Sequence, residues 1–206
     1  MGNPPRIGRM MENLYKTPEA NLVEPVQQEE GAFFVTSLSK MALLYLATFG
    51  LYGVFWFYKQ WDLQRAAMLP KRIVPAARGL FYVFFTHSLC ARINQSLEQN
   101  GHPAWNHRGD AWQVVILTIL SNGLSEVADR YTGLSLYSFA SLLFLLSPLY
   151  PMLSIQRQVN LASGDPQGER NSGMSGLNML FIVLGIVLWL LVLLGYGIEA
   201  FPELQA

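Results

Sequence analysis

Three ionisable side chains, Arg78, His87 and Glu126, fall inside otherwise apolar stretches of the chain. A charge in hydrocarbon is costly, so each must meet a partner, a wet cavity or the headgroup layer. Arg78 lies about 7–8 Å inside its stretch if that stretch is a helix, a depth that a snorkelling guanidinium can cover. Glu126 closes the next stretch. If the two stretches run antiparallel, Arg78 and Glu126 share one membrane face and are expected to pair. Such a pair either glues two helices or opens a polar vestibule for an ion or anionic headgroup. Glue is the expectation, because no second acidic residue lines up to make a relay.

His87 has Thr86, Ser88 and Cys90 beside it, which raises proton transfer or metal binding. His102 and His107 follow in the next loop. A metal needs three or four converging ligands, and neither HExxH nor paired CxxC occurs. No metal and no cofactor are therefore expected, and His87 reads as a hydrogen-bonding residue. Cys90 is the single cysteine, so it has no intramolecular disulfide partner. There is no phosphate-binding glycine loop, no GxGxxG and no GxSxG; GMSG at 173–176 has the wrong spacing. No two carboxylates fall together within one apolar stretch, as acid–base catalysis would require. No catalytic residues are expected.

The positioning elements are apolar. Leu177 to Ile198 carries no formal charge and measures about 33 Å as a helix, enough to cross a bilayer. The chain is 51% hydrophobic and 14% charged, with a mean hydropathy of +0.25. Its 14 Lys/Arg and 14 Asp/Glu cancel, which leaves no basic field for nucleic acid. The pattern predicts an all-α membrane protein of about five transmembrane helices, near 41–58, 73–90, 111–128, 134–153 and 177–198. Four is the competing number, because the second and third stretches are polar enough to be re-entrant or interfacial. Residues 1–32, with Pro4, Pro5, Pro18 and Pro25, predict a disordered polar tail without a signal peptide, so the first span itself must direct insertion.

Phe55, Trp56, Phe57, Tyr58 and Trp61 mark an interface at the end of the first stretch. Pro148 and Pro151 are expected to kink or stop the fourth. Ala47, Gly50 and Gly53, and Ser135, Ser138 and Ser141, form small faces suited to helix contacts. ARINQSLE and IQRQVNLAS follow the second and fourth stretches as a short echo. The segment GDPQGERNSGMSG reads as a flexible connector before the last span. The basic loop 59–72 argues for a cytoplasmic position, which in a five-span chain puts the N-terminus outside and the C-terminus inside. Lys40, Arg92, Arg108, Arg157, Arg170 and the basic residues of the tail would then stand on the opposite side and nearly balance it.

The stretch FFVTSLSKMALLYLATFGLYGVFWFYKQW resembles the first span of a bacterial family of uncharacterised multi-pass inner-membrane proteins, with the pattern FxVSxxKxxxLxxxTxGxYxxxWFYxxW. The likeness continues through Pro75, Arg78 and FFTHSL, then LYPMLSIQRQVN and GDPQG. The tail NLYKTPEANLVEP is similar to the family's NPYxxPxAxL, with Leu14 in place of Pro. The resemblance marks Phe34, Ser37, Lys40, Gly50, Tyr52, Trp56, Tyr58, Trp61 and Arg78 as signature positions. It implies residence in the inner membrane and carries no activity. The expectation is a non-enzymatic protein that binds a lipid or protein partner, forms a homo-oligomer or serves as an accessory subunit. The alternatives are a small transporter or channel using Arg78, His87 and Glu126, or a membrane immunity protein.

Overall fold

The computed structural model describes residues 33–128, 130 and 136–200. The expected tail 1–32 and Ser135 lie outside them. The regular secondary structure among the described residues is helical, with no strand.

The first apolar stretch is two helices where one continuous span was expected: α1, Leu38–Ala47, and α2, Leu51–Leu63. Ser37 caps α1, its hydroxyl accepting from Lys40 N–H at 3.3 Å. Phe49 and Gly50 then take positive φ values of 52° and 86°. Two successive left-handed residues cannot continue a right-handed helix, so the chain turns. Gly50 N–H closes onto Tyr45 O at 2.9 Å. The Thr48 hydroxyl donates to Leu44 O at 2.8 Å and accepts from Tyr52 N–H at 2.9 Å, stitching the two helices together. The α2 helix then returns towards the start of α1, for Gln60 meets the backbone of Phe34. At ten residues, α1 is about 15 Å long, half a hydrocarbon core. The pair is a helical hairpin with both ends on one side.

The second stretch is also interrupted. Helix α3, Pro75–Leu80, stops at Phe81, and α4 runs from Tyr82 to Gln99, well past the expected end at Cys90. Gly79 abuts Tyr58, where an added Cβ would lie 2.9 Å from its backbone N. Helix α4 runs parallel to α2: Phe57 stacks on Tyr82 at 4.7 Å, Trp61 meets Phe85 at 6.5 Å, and Arg92 reaches Gln64 at 3.3 Å.

Helix α5, His107–Ala128, descends antiparallel to α4, pairing Trp112 with His87 at 4.7 Å and Thr118 with Tyr82 at 3.2 Å. Helices α6, Leu136–Leu146, and α7, Leu149–Ala162, replace the expected fourth span; the chain breaks at Ser147–Pro148, while Pro151 is accepted in the first turn of α7. Helix α8, Gly176–Ala200, lies along α1, with Trp189 Nε1 donating to Leu46 O at 2.9 Å.

Helices α5 and α8 are each long and apolar enough to cross a membrane, with mean hydropathies of 1.2 and 2.9. Only 11% of the apolar window of α8 is buried. Its leucines and valines point outward, an arrangement suited to hydrocarbon and costly in water. The buried core sits at the opposite end of the molecule from the tip at Phe49 to Leu51, around Trp56, Trp61, Leu89, Ile93, Met152 and Ile155.

The small-residue face of the first stretch does make close contacts, the tightest at Ala47: a Cβ on Gly185 would collide with the Ala47 carbonyl oxygen. Gly185→Ala is expected to cost about 1–3 kcal/mol by overpacking, read as a lower Tm in detergent. Gly195→Ala, where a Cβ meets nothing within 4 Å, should leave Tm nearly unchanged.

Candidate functional site

An extended segment, Phe33 to Ser37, precedes α1 and has no strand partner. Side-chain amides take that role. Gln60 on α2 accepts from Phe34 N–H at 3.0 Å and donates to Phe34 O at 3.1 Å. Asn160 on α7 treats Thr36 the same way, accepting from its N–H at 3.4 Å and donating to its O at 2.9 Å. Asn171 donates to Val35 O at 2.9 Å. Gln156 donates to Phe34 O at 3.3 Å and to Asn160 Oδ1 at 2.6 Å, and accepts from the Trp56 indole. Gln60, Gln156 and Asn160 are fully buried, so each must satisfy its amide inside the protein.

The signature residues serve this clamp and its supports. Phe34 is held by its backbone, with its ring edge-on to Phe55 at 6.1 Å. The buried Lys40 ammonium donates to Asn171 Oδ1 at 2.6 Å and to Gly173 O at 2.7 Å. Ser37 caps α1, Gly50 makes the turn, Tyr52 hydrogen-bonds Thr48 through its backbone, Trp56 binds Gln156, and Tyr58 backs Gly79. Trp61 lies beneath Arg78.

The structure does not bring Arg78, His87 and Glu126 together. The Arg78 guanidinium carbon lies 4.2 Å from the Trp61 ring centroid and 4.9 Å from that of Phe85. Glu126 faces Arg130 at 3.7 Å, both exposed. The expected Arg78–Glu126 pair is absent because α3 folds back against α2. The start of the second stretch is therefore not level with the end of α5. Thr118 already sits opposite the start of α4, and Glu126 is about 12 Å further along α5. His87 packs edge-on against Trp112, its Nε2 without a hydrogen-bond partner among the described residues. Cys90 is buried. Among the described residues no three His, Cys, Asp or Glu side chains converge as a metal site would need.

Cavities among the described residues include the following. One of about 250 Å³ lies beside Arg92, Gln64, Gln95, Ser96 and Gln99. An apolar groove of about 400 Å³ runs between α1–α2 and α8, past Leu51, Phe55, Phe181 and Leu188. A cavity of about 600 Å³ beyond the hairpin tip is lined by Ser121, Asn122, Ser125, Ser138, Ser141 and Tyr196.

Neither a family model, a curated protein nor a solved structure matches this chain.

Sequence reasoning missed Gln60, Gln156 and Asn171. Asn160 was visible only in the echo with Asn94, which accepts from Trp105 N–H at 3.3 Å. Both echo asparagines thus hold a backbone. Replacing Asn160 with Leu leaves both backbone groups of Thr36 unpaired. It is expected to destabilise by about 1–3 kcal/mol per orphaned group, measured by thermal melts in detergent.

Asn171 belongs to a short turn, Glu169–Asn171, set by Asp165. The Asp165 carboxylate accepts from the backbone N–H of Arg170 and of Glu169, each at 3.0 Å. The Arg170 backbone bond, helped by the Glu169 bond and the Arg170 side chain, holds its pKa below the ordinary carboxylate value. Its contribution is present above that ordinary value and is lost as pH falls through the depressed one. Amide protection in 165–173, corrected for intrinsic exchange, should therefore fall below the usual carboxylate range, and Asp165→Asn should remove that loss of protection with pH.

Proposed function

We propose that this is a non-enzymatic multi-pass protein of a bacterial inner membrane that works by binding lipid. Three passages cross the bilayer in this reading: α5, the broken pair α6–α7, and α8. The hairpins α1–α2 and α3–α4 enter from one side and return. Backbone at a break is tolerated at membrane depth when protein covers it, as Tyr45 does beside Gly50.

The observation that carries the reading is the one-sided charge around an apolar body. Arg130 is the one described Lys or Arg at the far end of the fold. The others gather at the clamp end, on 33–40, the loop 64–74, α3, the start of α5, the loop 163–175 and the C-terminal halves of α2, α4 and α7. Positive charge favours the cytoplasmic side. The near-tie of the linear count disappears once the first stretch turns back, for its two flanking lysines then stand on the same side. The clamp end is inside and the C-terminal end of α8 outside. Loop 59–72 keeps its cytoplasmic place, but the orientation of the termini is the reverse of the five-span expectation.

The apolar groove between α1–α2 and α8 opens onto the outward face of α8, and an acyl chain suits its lining. A second reading, passage of a small polar solute, draws on the serine-lined cavity and the break at Ser147–Pro148. It no longer draws on Arg78, His87 and Glu126.

Single cysteines in a Cys90→Ala background test the arrangement. A membrane-impermeant maleimide is expected to label Arg130→Cys in intact spheroplasts, and Lys71→Cys and Ser172→Cys only after permeabilisation. Labelling of positions 71 and 130 from the same side would sink the reading. Purified protein should retain phospholipid in native mass spectrometry, and Leu188→Trp, which fills the groove, should reduce it. Retention unchanged by that substitution would remove the groove from the proposal.

A further inference from the structure

We propose that Arg92, with the charge of Arg78 on the same helix interface, binds a phosphate-bearing anion in a cavity at the clamp end of the fold. The proposal rests on the lipid-binding reading above only in placing this end at the cytoplasmic headgroup layer.

The Arg78 guanidinium lies close to the Trp61 and Phe85 rings, at 4.2 and 4.9 Å. That contact orients the planar group and leaves its hydrogen-bonding edge little used. Its polar contact is the Met68 sulfur at 3.8 Å, a weak acceptor. Arg92 donates to Gln64 Oε1 at 3.3 Å. Gln64 follows Trp61 by about one helical turn, so both guanidiniums flank the C-terminal end of α2. Phe85 and Arg92 are about two turns apart on one face of α4, so both cations lie along the α2–α4 interface, where their like charges repel.

No carboxylate among the described residues forms an ion pair with either arginine. The acids on the neighbouring helices are engaged elsewhere: Asp62 faces Arg65 at 3.8 Å, and Glu98 accepts from Asn94 at 2.7 Å. Two like charges thus lie along one interface, each half-buried, with no counterion among the described residues. Packing on Trp61 explains Arg78 alone. It does not explain the second cation, nor the cavity of about 250 Å³ that Arg92 shares with Gln64, Gln95, Ser96 and Gln99. An anion there would relieve the repulsion and accept from guanidinium, amide and hydroxyl donors together. Phosphate oxygens match the guanidinium fork. The phosphate of a phospholipid headgroup and free phosphate present the same chemistry.

The test uses full-length protein in nonionic detergent, with Tm as the readout. One arm titrates inorganic phosphate against chloride at equal ionic strength. The other compares mixed micelles holding phosphatidylglycerol with micelles holding diacylglycerol, which lacks the phosphate. A phosphate-bearing arm is expected to raise Tm. Arg92→Gln should weaken the response by about tenfold or more, and Arg92→Lys should keep part of it, having the charge without the fork. A response to phosphatidylglycerol alone assigns a headgroup, and one to inorganic phosphate alone assigns a soluble ligand. No response in either arm, or an undiminished response in Arg92→Gln, overturns the site. The same loss on neutralising the exposed Lys71 and Arg72 instead overturns it in favour of diffuse charge. Carbonate washing of membranes separates the two levels: a chain that washes off fails the membrane reading and the site with it. A chain that stays but gives no phosphate response fails the site alone.

Discussion

Four side-chain amides hold the extended segment before α1, and the cytoplasmic half proposed here is arranged around that contact. Gln60, Gln156, Asn160 and Asn171 come from α2, α7 and the loop before α8, and all four reach residues 34–36. The constraint behind this is simple. A backbone entering an apolar interior without helix or strand must still pair its N–H and C=O groups. Amides do so without adding charge, and each can donate and accept at once. Because the partners are far apart in sequence, satisfying one short segment also locks three elements to one another.

The hairpin follows from the same contact. Gln60 can reach Phe34 only if α2 returns beside the start of α1, and the turn at Phe49–Gly50 makes that return possible. Lys40 is tied to the loop that carries Asn171, so the start of α8 is fixed at the same end. From there α8 runs past the hairpin tip with its apolar surface outward. A densely hydrogen-bonded half and an apolar half therefore share one molecule. Arg78 belongs to the first half, where Trp61 and Phe85 support it, and Glu126 to the second.

Some of this was legible in the residues. The uncharged run 177–198 is helical because nothing in it breaks a helix, and 111–128 is likewise helical throughout. Pro148 signals the break between α6 and α7, since it cannot continue a helical hydrogen-bond ladder. Gly50 was read as part of a packing face, while its conformation makes a turn. Nothing local distinguishes the two uses of glycine, because the deciding contact, Tyr45 over Gly50 and Gly53, follows from the fold. Gln60, Gln156 and Asn171 look like ordinary polar residues beside apolar stretches. They stand out only when residues distant in sequence, 26 positions apart for Phe34 and Gln60 and 124 for Thr36 and Asn160, are brought together.

Composition and apolar run length alone pointed to helices among the described residues and to two of them long and apolar enough to cross a membrane, because burial of apolar surface depends on how much there is and how continuously it runs. Tertiary structure decided how the apolar runs are used: which ones turn back, which side holds the cations, and that Arg78 meets Trp61 and a second arginine while Glu126 meets Arg130. Hydropathy is a sum over neighbours in sequence. The direction of a helix after a turn, and the partner of a charge, depend on contacts between distant residues that no such sum contains.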